Sequence, residues 1–241
     1  KNDHKKIEKT IKSVIGQTYK NFEYIVVDGN SNDGTLKKIK FFENKIDCLI
    51  SKKDKNLWDG INTGIKKSRG DIIVILNSGD IFFKDALKIA NNYFNKCPID
   101  FLFGAIKKDR IFYKFEPKKI FYRLNIYPSH SGSFFIKLKK QKQLGYYNTD
   151  YDYCADYDLF YRMIVKKKFK GLSTKKSEVV SKFDMNGMSS KVPFYKYYFY
   201  EMVVRHKNGQ NFFYLLFLYN LKILNKIRNL LINLFILPFK N

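Results

Sequence analysis

The feature that most constrains the fold is a regular alternation of short apolar runs with helical patterns in the first hundred residues. Buried strands are predicted at residues 22–27 and 71–76, which are rich in β-branched side chains. Helical patterns cover residues 35–42, 57–67 and 85–95. This βαβα order predicts a sheet covered by helices on both faces, with ligands bound beyond the carboxyl ends of its strands.

Weaker patterns complete the predicted element order. They indicate a helix that ends near Gly16, strands at residues 48–51, 101–115, 132–136 and 179–183, and a helix at residues 155–165. The last fifty residues have almost no acids and are rich in Tyr, Phe, Leu and Lys. We therefore predict an α/β domain at residues 1–191 and a helical appendage at residues 192–241.

The composition is typical of a globular protein with a basic surface. In 241 residues, 45% are hydrophobic and the formal net charge is +24. Such a charge favours nucleic acid or an anionic membrane as a partner. The high lysine content also fits the codon bias of an AT-rich genome, because the codons for Lys, Asn, Ile, Tyr and Phe consist largely of A and T. Three widely spaced cysteines, Cys48, Cys97 and Cys154, predict reduced thiols in a cytosolic protein.

Polar loops follow two of the predicted strands. Asp28 and Asn30 lie in the first loop, where a carboxylate can accept hydrogen bonds from a uracil N3–H or a ribose hydroxyl. Asp80 ends the second loop, where it can hold Mg²⁺ or Mn²⁺ bound to phosphates. Both loops also fit ordinary turns that precede a helix.

Two further acids, Asp156 and Asp158, open the predicted helix at residues 155–165. The helix dipole stabilises acids in this position, which is a purely structural interpretation. In a catalytic site, one of the two carboxylates can remove a proton from an acceptor hydroxyl.

Six motifs in sequence order resemble those of family 2 glycosyltransferases of the GT-A fold, of the bacterial polysaccharide-biosynthesis type. They lie at residues 13–19, 22–35, 57–65, 69–80, 128–135 and 155–162, and a further similar segment covers residues 183–190. The resemblance implies a Rossmann-like, mixed but mainly parallel sheet flanked by helices. It also implies that the family's first strand precedes Lys1.

The resemblance assigns roles to single residues. Asp28 matches the acid that contacts the nucleotide base, and Asp80 matches the last acid of the metal-binding motif. Asp156 matches the catalytic base. Contacts with the nucleotide-sugar donor are expected at Asp28, Asn30, Asp59, Asn62, Ser78, Gly79 and His130.

The implied activity is inverting transfer of a sugar from a nucleotide-sugar, expected to be a UDP-sugar, to a hydroxyl of a glycan or lipid-linked acceptor, with Mg²⁺ or Mn²⁺. Three departures bear on this expectation: Asn77 and Gly79 replace acids of the metal motif, and Ala155 replaces the Glu before the base. A non-catalytic relative and a sugar-phosphate nucleotidyltransferase therefore stay open. A basic nucleic-acid-binding protein is a further alternative, although no recognition motif supports it.

Residues 211–239 predict a basic amphipathic helix. Lys222, Lys226 and Arg228 are expected on its polar face, and polar residues interrupt any apolar run of the roughly 20 residues that spanning requires. We expect this helix to lie in a membrane interface, which would place the protein in the cytoplasm at the inner face of the membrane. The alternative is that it packs on the α/β domain or on a second copy in a homo-oligomer.

Overall fold

The computed structural model describes residues 1–122, 130–185 and 192–236, with side chains up to residue 232. The helices are α1 (Ile7–Ile15), α2 (Thr35–Lys40), α3 (Leu57–Lys67), α4 (Ala86–Lys96), α5 (Leu138–Leu144), α6 (Ala155–Tyr161), α7 (Phe194–Lys207) and α8 (Phe212–Ile236). The strands are β1 (Ile25–Asp28), β2 (Cys48–Ser51), β3 (Ile72–Val74), β4 (Ile81–Phe82), β5 (Phe101–Phe103), β6 (Ala105–Lys107), β7 (Ile111–Phe112), β8 (Phe134–Lys137), β9 (Gly171–Ser173) and β10 (Val179–Lys182).

The strands form three sheets, in the orders β1-β2, β4-β10-β6-β7 and β3-β8-β5-β9. The pairs β1/β2, β6/β10 and β5/β9 are parallel. The pairs β4/β10, β3/β8, β5/β8 and β6/β7 are antiparallel. The expected α/β class with a mixed sheet is confirmed. Three of the described strand pairs are parallel and four are antiparallel, because β8 enters between β3 and β5 in the opposite direction and a tight turn joins β6 to β7.

Most of the predicted elements are present close to their predicted positions. In α1 the apolar side chains at helical spacing, Ile7, Ile11 and Val14, are buried. The α3 helix begins after Asn56, whose side-chain oxygen accepts a hydrogen bond from the Asp59 N–H at 3.2 Å. The sequence patterns missed β4, β9 and α5, which have seven residues or fewer.

The core surrounds β5, whose three side chains are fully buried. The rings of Phe103, Phe134 and Phe160 lie within 5.4 Å of one another, centroid to centroid, and so join β5 and β8 to α6. Aromatic pairs at these separations add about 0.5–1.5 kcal/mol each beyond the area they bury. The position of α6 on the sheets is therefore fixed by large side chains.

A cleft of about 2130 Å³ lies between β1 and β3 and continues to the polar loops that follow them. Its inner walls are apolar and include Val26 and Ile73. Each of these two strands pairs with one described strand, so each has one edge without a strand partner in the described residues. The expectation that a further strand precedes Lys1 stays a prediction.

The α7 helix packs against α6, and its Val204 lies in the same core cluster as β5. Arg205, also fully buried, donates hydrogen bonds to the carbonyl oxygens of Ile120 and Phe121 at 2.7 and 2.8 Å. The appendage is thus joined closely to the α/β domain. The boundary at residues 191 and 192 stays a prediction, since residues 186–191 lie outside the described part of the chain.

The α8 helix packs against α7 along one side of its first half, and its second half is exposed. Leu215 is buried, whereas every described side chain from Leu224 onward is exposed. One expectation is wrong: Lys222 does not belong to an outer basic face but pairs with buried Glu201 of α7. None of the described helices combines the length and apolar character needed to cross a bilayer.

Candidate active site

Asp28 ends β1 and is almost fully buried at the end of the cleft. Its carboxylate accepts hydrogen bonds from the backbone N–H and hydroxyl of Ser31 and, at 2.9 Å, from the hydroxyl of Ser51. Burial opposes ionisation, but these hydrogen bonds outweigh it and lower the pKa of Asp28. Asp28 is therefore an anion that also shapes its own loop, in which Asn30 is exposed with a left-handed φ of 59°.

Asp54 is a cleft residue that the sequence analysis missed. Its carboxylate lies against Gly29 and Gly60, where an added Cβ would come within 2.7 and 2.9 Å of its Oδ2. Its Oδ1 is buried and has no hydrogen-bond partner among the described residues. Burial, with the neighbouring charge of Asp59, raises the pKa of Asp54. Gly29 and Gly60 are the sequence feature that could have indicated Asp54, because only residues without a Cβ leave room for its carboxylate.

The side chains of Asp59 and Asn62 form hydrogen bonds with other residues of the protein. Asp59 accepts the backbone N–H of Lys55 at 3.2 Å in the first turn of α3. Asn62 is buried, and its amide exchanges two hydrogen bonds with the backbone of Tyr147, at 2.8 and 3.0 Å. Neither is among the residues that line the cleft. Their expected contacts with a donor stay predictions, and their visible role is to hold α3 against neighbouring loops.

The loop after β3 holds Asp80 in a buried position, 3% exposed. The Thr10 hydroxyl of α1 fixes this loop, donating to the Asp80 carbonyl at 2.9 Å and accepting the Gly79 N–H at 3.0 Å. Gly79 has a φ of +98°, and a Cβ there would lie 2.6 Å from Asp184 Oδ2. Ser78 lines the cleft with a buried hydroxyl that has no described partner.

The two oxygens of the Asp80 carboxylate are in different surroundings. Oδ1 accepts the backbone N–H of Asp184 at 2.9 Å, whereas Oδ2 is buried without a hydrogen-bond partner in the described part of the chain. Burial raises the pKa of Asp80 to about 7. Asp184 was not predicted as a site residue, and its carboxylate pairs with Lys6.

His130 brings an imidazole to the same place. Its Nδ1 lies 3.8 Å from Asp80 Oδ2 and accepts the Gly132 N–H at 3.3 Å. Burial lowers the pKa of His130 to about 3, so its ring is neutral and keeps a lone pair. The other residues of its motif, Pro128 and Ser129, lie outside the described residues.

Asp80 and His130 fit a divalent cation site that needs ligands from the substrate. Asp80 Oδ2 is a buried carboxylate oxygen without a described hydrogen-bond partner. The imidazole nitrogen His130 Nδ1 lies 3.8 Å from it and would bind a cation in place of the Gly132 N–H. Residues 1–122, 130–185 and 192–236 contain no group of three or more His, Cys, Asp or Glu side chains suited to a metal. Mg²⁺ is commonly held by one or two carboxylates together with substrate phosphates and water, which fits this donor set.

Asp156 lies in the first turn of α6 and lines the cleft. Its Oδ1 accepts only the backbone N–H of Tyr157, at 2.9 Å, among the described hydrogen bonds. Burial raises its pKa, and the charge of Lys108 opposes that rise. A carboxylate that faces a cleft with a raised pKa is suited to accept a proton near neutral pH.

Asp158 is placed differently from Asp156, although only one residue separates them. It is buried and accepts hydrogen bonds from Arg162 Nε at 2.9 Å and Asn208 Nδ2 at 2.8 Å. The first bond holds the C-terminal end of α6, and the second joins α6 to the end of α7. Of the two acids that the sequence left open as a base, Asp156 faces the cleft and Asp158 supports the structure.

Comparison with known families gives one match over most of the chain. The model described as Glycosyl transferase family 2 matches residues 1–169. Among curated proteins, the chain is 34% identical over 121 residues to UDP-Glc:alpha-D-GlcNAc-diphosphoundecaprenol beta-1,3-glucosyltransferase WfgD of Escherichia coli, covering 48% of each protein. It is 33% identical over 108 residues to the poly(ribitol-phosphate) beta-N-acetylglucosaminyltransferase TarP of Staphylococcus aureus, covering 43% of this chain and 33% of TarP.

Solved structures share the fold at low sequence identity. Residues 1–349 of S. aureus TarS in complex with UDP match with a TM-score of 0.64 and 17% identity, over 89% of this chain and 65% of that one. The mannosyltransferase PcManGT from Pyrobaculum calidifontis, in complex with GDP-Man and Mn²⁺, matches with a TM-score of 0.61 and 17% identity, over 83% and 58%. The matched segments span about half or less of the curated relatives' length. These matches confirm the expected GT-A fold.

Proposed function

The chain belongs to glycosyl transferase family 2, and on that basis we propose that it transfers a sugar from a nucleotide-sugar to an acceptor hydroxyl with inversion at the anomeric carbon. The observation that carries the proposal is that one cleft contains both Asp156, a carboxylate with a raised pKa, and the Asp80–His130 pair. The first is suited to activate an acceptor, and the second to hold the cation of a diphosphate. A single displacement by the acceptor oxygen, with one base to take its proton, inverts the anomeric configuration.

In this mechanism Asp156 accepts the proton of the acceptor hydroxyl as its oxygen bonds to the anomeric carbon. Asp28 and Asp54 lie at the β1 and α3 side of the cleft and accept hydrogen bonds from the nucleoside. Asp80 and His130 would hold a divalent cation, which would neutralise charge on the diphosphate. Burial of these residues strengthens each electrostatic contact, because the cleft wall has a lower dielectric constant than water.

We propose UDP as the nucleotide and Mg²⁺ or Mn²⁺ as the cation. UDP is supported by the names of two similar proteins, WfgD with UDP-Glc and TarS in complex with UDP. Mn²⁺ is named with PcManGT, which also carries GDP-Man, so GDP is the alternative nucleotide. The proposed acceptor is a glycan or lipid-linked intermediate of surface polysaccharide synthesis, by similarity to the names of WfgD and TarP.

Calorimetric titration with UDP and GDP, each with and without Mn²⁺, tests this proposal. We expect UDP to bind more tightly than GDP and Mn²⁺ to strengthen its binding. Asp80→Ala should remove the Mn²⁺-dependent part and keep the rest, whereas Asp85→Ala, at the surface before α4, should behave as the wild type. Absence of nucleotide binding by the wild-type chain would contradict the proposed function.

We also propose that α8 binds an anionic membrane surface. Phe213, Phe217 and Leu224 are 78%, 60% and 63% exposed, and their spacing of four and seven residues places them on one helix face. Arg228 lies on the same side one turn further on and is exposed. An apolar face flanked by a cation is typical of helices that lie in the headgroup region.

Co-sedimentation with vesicles of phosphatidylglycerol and phosphatidylcholine tests the membrane proposal. The wild-type chain should pellet with them, and the double variant Phe217→Glu/Leu224→Glu should stay in the supernatant. Phe41→Glu is the matched control, because Phe41 is 82% exposed on a different part of the surface. Equal pelleting of the wild type and the double variant would contradict membrane binding through α8.

A further inference from the structure

Lys108 is a cation in the wall of the cleft that the mechanism above does not use. It lies in the tight turn between β6 and β7, where its backbone N–H donates to the Arg110 carbonyl at 2.9 Å. Its side chain turns back into the cleft, and its Nζ lies 4.6 Å from the centroid of the Phe183 ring. Phe183 is itself held by a 2.9 Å hydrogen bond from its N–H to the Lys107 carbonyl.

The ammonium of Lys108 lies among the predicted catalytic and metal-binding residues. Burial raises the pKa of Asp80 and of Asp156, and the charge of Lys108 opposes that rise; burial lowers the pKa of His130, and the charge of Lys108 lowers it further. All three groups therefore lie within the electrostatic range of Lys108. The His130 ring packs on the same Phe183, with the centroids 4.3 Å apart. Lys108 is therefore close to both the proposed base and the proposed cation site.

No described side chain forms a hydrogen bond or ion pair with Lys108, whose Nζ makes cation–π contacts with Phe183 and Phe112. Burial lowers the pKa of Lys108, and the charges of Asp80, Asp156 and Asp109 oppose that shift from a distance. The other cation near Asp80, Lys6, is paired with Asp184, and His130 is neutral. A half-buried ammonium that meets only aromatic rings lacks the hydrogen-bond acceptors that a lysine normally has.

We propose that Lys108 binds the diphosphate of the donor and stabilises it as the leaving group. This inference rests on the proposed function. As the acceptor oxygen bonds to the anomeric carbon, the bond from that carbon to the β-phosphate oxygen breaks and its electron pair stays on that oxygen. The Lys108 ammonium offsets the added charge, and the acceptor proton moves to Asp156.

This role also compensates for a sparse set of metal ligands. The described residues contain no group of three or more His, Cys, Asp or Glu side chains suited to a metal, so few protein ligands are available for a divalent cation. A lysine fixed in the cleft supplies positive charge without a metal. We therefore expect part of the diphosphate affinity to persist in EDTA.

Calorimetry in EDTA with inorganic pyrophosphate, UDP and uridine tests the proposal. Lys108→Met removes the charge and keeps the side-chain length, and we expect it to weaken pyrophosphate and UDP about ten- to a hundredfold, as is typical of a lost charged hydrogen bond. Uridine binding should not change. Lys108→Arg should retain most of the affinity for pyrophosphate.

Lys107→Met is the matched control, because Lys107 is the exposed neighbour in the same hairpin and should bind pyrophosphate as the wild type does. Thermal unfolding of each variant confirms that it is folded. Pyrophosphate affinity equal in Lys108→Met and wild type, or absent in the wild type, would overturn the inference. Lys108-dependent binding of pyrophosphate without binding of UDP or uridine would instead contradict the proposed function and leave the anion site standing.

Discussion

Two groups of buried charges in this protein differ in how they are neutralised. Between α7 and α8, Glu201 is paired with both Arg205 and Lys222, and Arg205 also donates to two backbone carbonyls. In the cleft, Asp80 and Asp156 have no ion pair within 4 Å of a described lysine or arginine. The first group is neutralised by residues of the chain, and the second is left available to a ligand.

The comparison separates structural charges from functional ones. Burying an ion costs several kcal/mol, and a paired ion recovers much of that cost from its partner. The cleft acids recover little, and the pKa of Asp80 rises to about 7 as a result. Because the cleft carboxylates are buried without a cationic partner, they are suited to bind a cation or a hydrogen-bond donor of a ligand.

The largest effect is expected at Asp156. Asp156→Asn should reduce sugar transfer about a hundred- to ten-thousandfold, because the acceptor proton then has no base. Binding of UDP and the Tm should change little, since Asp156 supports no other side chain of the described residues. Nucleotide release in the presence of acceptor, together with calorimetry, measures both quantities.

Asp158→Asn is the matched control for that variant, because it makes the same chemical change one helical neighbour away. It should lower the Tm by weakening the bonds to Arg162 and Asn208, while folded protein at low temperature keeps its activity. A loss of transfer in Asp158→Asn with normal activity in Asp156→Asn would reverse the two roles.

The next effect concerns the paired group. Arg205→Met should destabilise the protein by about 3–5 kcal/mol, as is typical when one partner of a buried ion pair is removed. Arg205 is 2% exposed and also lies 4.5 Å from the centroid of the Tyr157 ring, so packing is lost as well. Urea denaturation measures the change, and UDP affinity of the folded fraction should be unaffected.

Arg228→Met in the exposed part of α8 serves as the control and should leave the free energy of unfolding unchanged. If Arg205→Met is as stable as the wild type, the buried pairs between α7 and α8 do not hold the appendage in place. The comparison between the two groups of charges would then fail on its structural side.

The smallest effect is a pH dependence at Asp54, whose pKa is raised by burial. A carboxyl group whose pKa is higher in the folded state favours folding while protonated, and its ionisation costs stability as the pH rises above its usual value near 4. The asparagine of the Asp54→Asn variant cannot ionise. At pH 8 the Tm of this variant should therefore be higher than that of the wild type, by at most about 2–4 °C. The difference should vanish near pH 4.

Thermal unfolding from pH 4 to pH 8 measures this trend, and Asp47→Asn, at an acid outside the cleft, is the control. A gap in Tm that stays constant across the pH range would mean that the effect of Asp54→Asn comes from packing rather than from charge. Asp54 would then not belong with the unneutralised acids.

Much of the fold was predictable because its signals are local. The apolar spacing of Ile7, Ile11 and Val14 in α1 and the β-branched runs of β1 and β3 each depend on a few neighbouring residues. Short elements such as β4 were missed because a strand of two residues is too short to show an alternation of apolar and polar side chains. A mixed sheet was expected from the resemblance alone, since strand direction depends on where β8 enters the sheet rather than on its own sequence.

The candidate site was predictable only where a motif carried it. Asp80, His130 and Asp156 belong to motifs, and the structure brings all three to the cleft wall. Lys108 and Asp54 belong to no motif. The importance of Lys108 comes from its contact with Phe183, which is distant in sequence, and that of Asp54 from its contacts with Gly29 and Gly60. Lys222 was misassigned because helical spacing gives a face but not the partner, Glu201, that faces it.

The hydrogen bond from the Asp184 N–H to Asp80 Oδ1 joins residues 104 positions apart. At about 5–20 residues per second, a ribosome takes on the order of 5–20 s to add that stretch after Asp80 has been made. Closing so long a loop costs entropy before the contact forms, and chains with many such contacts fold slowly. In a nascent chain the Asp80 carboxylate therefore waits seconds for this partner, and the bond can form only after Asp184 has been made.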